Sequence, residues 1–345
     1  MKRTITTMLL LLTLAGAAVA QDLSNPVSYM SYFNDKIQVV NQTYMNYLSA
    51  VSHGKSARKV EKLRVKVVEL IFNTRNDVSG TAPFKGDRTL RDAAAAYFKT
   101  CYSVFNEDYA KIVNMEEIAE QSFDAMEAYM LAQEKANDKL EEAFKKHGEV
   151  YKEFAGKNNV ELRESTDALE AKIEQANKVN EYYHPFFLIF FKANKQDAYL
   201  TEAINKGDIN GIEQNRNALL TYATTGLEKL GELKAFNSDG SVLAACQKVM
   251  RFYKEMTETK MEAITAFILA EENFKKIKKE FDVKPASKRT QADVDAYNKA
   301  IGVINKASGA YNKNNTEINK QRTEVLNMWE NTVKRFMDVH MPYAK

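Results

Sequence analysis

The chain is poor in the residues that carry most catalysis and cross-linking: its 345 residues include two cysteines, four histidines and one tryptophan. Glycine (13) and proline (5) are also scarce, which leaves long stretches without the usual turn and breaker signals. There is no Gly-x-Ser-x-Gly elbow, Walker phosphate loop, dinucleotide fingerprint or His-Glu-x-x-His zinc helix. An excess of one charge is missing too, since 49 Lys and Arg face 46 Asp and Glu. The densest basic run, Lys275-Lys276-Ile277-Lys278-Lys279, is closed by Glu280 and reads as a solvated helix face. A nucleic-acid partner would call for a basic face, so none is expected.

The four histidines, His53, His147, His184 and His340, offer little chemistry. Glu181-Tyr182-Tyr183-His184 has the Glu-x-x-His spacing of di-iron bundles, but those need a second such motif and two further carboxylates. The Asp208-Ile209-Asn210-Gly211 loop fails as a calcium site. Aligning Gly211 with the sixth place puts Lys206 first and Asn217 twelfth, where acids are required. This loop and Asn237-Ser238-Asp239-Gly240 read as turns and helix caps. No metal, cofactor or catalytic residue is predicted, and the chain is not expected to be an enzyme. Cys101 and Cys246 each lie in an apolar helical stretch, so small buried thiols are expected; a bridge would need a Cα approach that sequence does not reveal.

What is present begins with Lys2-Arg3, an apolar stretch from Met8 and the small residues Ala18-Val19-Ala20. Residues 1–20 read as a secretory signal peptide cleaved after Ala20. The stretch is shorter than the roughly 20 residues of a membrane span, so no transmembrane span is expected in the mature chain.

Apolar residues then recur at helical spacing. Asn25-Pro26 suits a cap and first helical position, with that helix failing near Gly54. Val60, Leu63, Val67, Leu70 and Ile71 form the stripe of a second helix ending near Ser79-Gly80. After Pro285, Thr290 with Asp293 suits a cap, and a 3-4 spacing runs from Val294 to Phe336, with Ser308, Asn315, Arg322 and Thr332 as polar seam positions. Unbroken over 290–340, this helix would be about 75 Å long; Gly309 or Asn312–Asn315 could break it.

The two halves also match. Tyr47-Leu48, Val60-Glu61 with Arg64, and Phe84 with Asp87 correspond to Tyr199-Leu200, Ile212-Glu213 with Arg216, and Phe236 with Asp239, at an offset of 152 residues. Ala128–Glu134 resembles Ala266–Glu272 at 138, and Lys157–Leu162 resembles Lys313–Ile318 at 156, which sets His184 opposite His340. The expectation is an all-α protein of two tandem, divergent, antiparallel helical-bundle units with long helices, residues 21–184 and 185–345. Between them lies Tyr182-Tyr183-His184-Pro185-Phe186-Phe187-Leu188-Ile189-Phe190-Phe191. Apolar on all sides, it is expected to be buried at the junction, or else to form a contact patch.

With Asn25-Pro26-Val27, Tyr29 and Asp35-Lys36-Ile37 directly after a signal peptide, and helix thereafter, the chain resembles exported helical surface proteins of unknown function from Gram-negative bacteria. The resemblance implies a periplasmic or cell-surface location and supplies no functional residues. Function is therefore expected to be a non-enzymatic interaction or structural role in the cell envelope, with an unidentified envelope protein as partner. The alternative is a periplasmic bundle binding a small ligand among core aromatics such as Phe98, Phe105, Tyr129, Phe267 and Phe274.

Overall fold

The computed structural model describes residues 22–111, 122–162 and 168–344; the signal-peptide reading lies outside them. The described residues form α-helices and no strands. A first group comprises α1 (Pro26–Ser52), α2 (Ala57–Gly80), α3 (Thr89–Ser103), which runs into a π turn at Val104–Asp108, and α4 (Phe123–Lys157). A second comprises α5 (Ala168–Lys206), α6 (Ile209–Glu232), α7 (Ser241–Thr259), α8 (Met261–Val283) and α9 (Gln291–His340).

Helix ends follow local chemistry. The Asn25 side chain accepts from the backbone N–H groups of Val27 and Ser28 at 2.8 and 3.4 Å, with Pro26 beside it at the first position. Thr290 and Asp293 cap α9 reciprocally. Gly54 and Gly207 follow α1 and α5 with φ of 62° and 66°, the left-handed conformation that glycine takes without a Cβ clash. Neither Gly309 nor Asn312–Asn315 interrupts α9, a single helix of 50 residues. Likewise α5 passes through Pro185, so residues 184 and 185 are consecutive positions of one helix.

Corresponding geometry occurs in both groups. Tyr29 packs on Phe33, Phe84 and Phe154 at centroid distances of 5.0, 5.2 and 5.7 Å. Tyr182 packs on Phe186, Phe236 and Phe336 at 4.8, 5.1 and 5.4 Å. Phe84 and Asp87, like Phe236 and Asp239, exchange two backbone hydrogen bonds, and Asp87 and Asp239 each cap the helix that follows. Arg64 pairs with Glu61 and donates to the Phe105 carbonyl at 2.8 Å; Arg216 pairs with Glu213 and donates to the Thr257 carbonyl at 2.9 Å.

This geometry revises part of the sequence alignment. Tyr29 and Tyr182 differ by 153, as do Gly54 and Gly207, so Tyr47 matches buried Leu200 rather than Tyr199, which is 40% exposed. Gly54-Lys55-Ser56 spans what Gly207-Asp208 spans, and from there the difference is 152. Phe154 and Phe336 differ by 182, which pairs buried His147 with buried Trp329. Lys157 ends α4 whereas Lys313 lies inside α9; the match at 156 therefore joins unlike places, and His184 does not face His340. Between Thr257 and Phe336 the second group holds 30 residues more than the first does between Phe105 and Phe154. They lengthen the α8–α9 hairpin by about 15 residues per arm, or about 22 Å.

One continuous core runs through both groups. In it Gly226 lets α5 and α7 close on α6, since a Cβ there would lie 3.0 Å from Ile189 and 3.1 Å from the Met250 sulfur. Cys101 and Cys246 are buried free thiols, both pushed up to about 12 by burial.

Candidate functional site

The residues singled out at the junction occupy one stretch of α5 and face three ways. Phe186 is fully buried, and its carbonyl accepts the Cys246 thiol at 3.8 Å. Tyr182 turns the same way, onto Phe236 and Phe336. Phe187 and Phe191, with Leu188, join a small separate cluster with Met126 and Met130 of α4. Tyr183 and Phe190 stack on Trp329 of α9, at 6.4 and 4.7 Å with interplanar angles of 21° and 20°. Of the ten residues 182–191, Phe186 alone is fully buried and the rest are half-buried. Burial lowers the His184 pKa below its ordinary value, opposed by the charge of Glu134. Pro185 is half-buried within the helix.

That half-burial has a cause. The spacing Tyr183, Phe187, Phe190, Asn194 is one helical stripe (i, i+4, i+7, i+11), and it forms one wall of a groove. The opposite wall is α9, through Leu326, Trp329, Val333 and Met337, with Glu330, Lys334 and Asp338 along its outer edge. Ser52, His53 and Gly54, at the C-terminal end of α1, contribute from the first group. The groove is half open to solvent and has a volume of about 650 Å3. Its wall on α5 is about 16 Å long, eleven residues at 1.5 Å.

Helices α5 and α9 run antiparallel here, since Tyr182 meets Phe336, Phe190 meets Trp329 and Asp197 meets Arg322. The last pair locks them one turn beyond the groove. Arg322 grips Asp197 with two hydrogen bonds of 2.7 and 2.9 Å and donates a third to Asn319. Asp197 is 4% exposed; burial pushes its carboxyl pKa up, while the hydrogen bond and charge of Arg322 draw it back. A smaller cavity of about 110 Å3 is lined by Arg322 and by residues of α5, α7, α8 and α9.

Near the groove the C-terminal segment is tied down. Tyr343 stacks on His53 at 3.9 Å, Gln42 and Lys172 donate to the carbonyls of Ala344 and Tyr343, and His340 pairs with Asp239 at 2.8 Å.

The aromatics proposed to line a ligand pocket do not come together. Phe98 and Phe105 are buried in the first group's core, Phe267 stacks on Tyr311, and Phe274 lies against Tyr297 in the hairpin. Tyr129 packs beside the small α4 cluster. Sequence reasoning missed the partners on α9 and the contribution of His53; the signal present was the spacing of Leu326, Trp329, Val333 and Met337, of which only Trp329 falls on the seam read from sequence. Among the described residues no three His, Cys, Asp or Glu side chains are placed to hold a metal ion, and no helix is long and apolar enough to cross a membrane. Comparison with protein-family models, curated proteins and solved structures finds no match to this chain.

Proposed function

We propose that the protein is an exported, non-catalytic binding protein of the bacterial envelope that takes a small, largely apolar ligand into the groove between α5 and α9. The observation that carries this reading is the groove itself. About 650 Å3 lies within the roughly 300–1,000 Å3 of small-molecule sites, and walls that set Tyr183, Phe187, Phe190 and Trp329 beside a polar group such as Asn194 suit one. It also lies where the two helical groups meet. The recurring Tyr-Phe-Phe clusters and Arg-Glu pairs support two divergent copies of one unit. Export rests on the signal-peptide pattern of residues 1–20.

Ligand-shift melting tests it. N-phenyl-1-naphthylamine at about 100 times its Kd should stabilise the fold by about 2.7 kcal/mol, raising Tm by several degrees, and Phe190→Ala should cut the rise at the same probe concentration by half or more. An unchanged Tm in the wild type at saturating probe would reject the reading. Fractionation of native cells should return the mature chain with the envelope; recovery of the full-length chain in the cytosol would reject export.

The hairpin supports a second reading, a partner protein bound along its sides. Its outer part, from Glu271 to Lys299, is almost wholly exposed or half-buried. Its tip is held by the Phe281–Tyr297 stack at 4.5 Å and by Arg289 over Phe281 at 4.2 Å. Cross-linking from the hairpin in native envelope should then give one discrete adduct, and a chain that recovers nothing contradicts it.

A further inference from the structure

Asn194 gives the groove a fixed polarity. Tyr253 of α7 is fully buried, and its hydroxyl donates to Asn194 Oδ1 at 3.0 Å. A buried phenol must place its proton, and Asn194 is the acceptor that the structure offers it. The amide is therefore held with Oδ1 toward Tyr253, and among the described residues no acceptor meets its Nδ2 hydrogens, on a residue that lines the groove. On the far side His53 Nδ1 donates to the Ser49 carbonyl at 2.7 Å, and the buried Nε2 has no partner among the described residues. The charged edge is acidic on balance, with Glu330 and Asp338 each one turn from Lys334 on α9.

We infer that the ligand is a neutral molecule with a planar apolar body and a carbonyl-type oxygen, which accepts from Asn194 Nδ2 while the body lies along Tyr183, Phe187 and Phe190. This inference rests on the groove reading above and specifies its chemistry. A carboxylate is disfavoured because Glu330 and Asp338 repel it and because entering an apolar groove strips its water. A pure hydrocarbon leaves the Asn194 donor facing an apolar surface.

Three naphthalenes of similar shape separate these cases, with Kd measured by equilibrium dialysis at pH 7. 2-Acetylnaphthalene should bind about five- to tenfold more tightly than 2-ethylnaphthalene, the difference worth one hydrogen bond, and more tightly than 2-naphthoate. Asn194→Asp keeps an acceptor for Tyr253 but removes the donor, and should bring the ketone-to-hydrocarbon ratio to about one. Tyr253→Phe, which frees the amide to turn, should lower the same ratio and stands in if Asn194→Asp does not fold. Equal binding of ketone and hydrocarbon by the wild type, or tightest binding of 2-naphthoate, would overturn the inference and leave the groove reading intact. Failure of all three compounds to bind would overturn both.

Discussion

His147 and Asp197 are the two buried residues whose chemistry bears most on stability. His147, on α4 against Tyr97, is 5% exposed, and burial lowers its pKa from 6.5 to about 4. The unfolded chain takes up this proton first, so the stability gained from a neutral His147 is complete above pH 6.5 and is lost as pH falls toward 4. The full loss is roughly 3 kcal/mol at 1.36 kcal/mol per pKa unit. Urea melts at pH 7 and pH 4.5 should differ in that direction, and His147→Leu should flatten most of the slope, with His184 supplying a remainder of the same sign. A slope unchanged by the substitution would remove His147 from the account. For Asp197, Arg322→Leu should cost about 3–5 kcal/mol by leaving a buried carboxylate unpaired, whereas the double change with Asp197→Leu should cost much less. Equal losses would mean that the pair is not buried as described. Little of this was legible in sequence: Arg322 was recognisable as a polar seam position, but its partner lies 125 residues away, beyond any local pattern.

The first, second and last helices were legible nearly to their ends, because caps are local, whereas the helices between them were not bounded and the continuity of α5 through Pro185 was left open. Asn25-Pro26, Ser79-Gly80 and Thr290-Asp293 lie where chain geometry needs them; the spacing of α9 allowed one helix but left breaks open at Gly309 and Asn312–Asn315, and the structure shows none there. Register between the groups was not legible, because short helical matches recur by composition; the aromatic cluster around Tyr29 and Tyr182 fixes it in three dimensions. In that register the outer α8–α9 hairpin has no counterpart of equal length in the first group. Replacing Phe274–Ile304 by a short Gly-Asn turn removes no residue of the main core except those facing only within the hairpin, while Met261, Ile264, Ile318 and Val325 stay. Calorimetry should show one cooperative transition with Tm within a few degrees of wild type. Loss of cooperative melting would make the hairpin part of the fold's foundation.

For the molecule as a whole, one core joins two groups of helices, and α5 belongs to both through a stretch whose apolar residues leave in three directions. Sequence composition marked that stretch as unusual but could not divide its faces. The division depends on α9 returning antiparallel to α5 and on α4 lying across Phe187 and Phe191. From it follows a groove with an aromatic wall, a locked end at Asp197 and Arg322, and the single tryptophan of the chain in its side. Trp329 is thus a reporter that needs no labelling. The most direct measurement is energy transfer from Trp329 to N-phenyl-1-naphthylamine on titration of the protein. Occupation of the groove sets donor and probe in contact, so Trp329 emission should fall steeply and saturate at one probe per chain, with Phe190→Ala weakening the transition at least tenfold. Unquenched Trp329 emission with the probe bound elsewhere, or no saturable binding at all, would contradict the account.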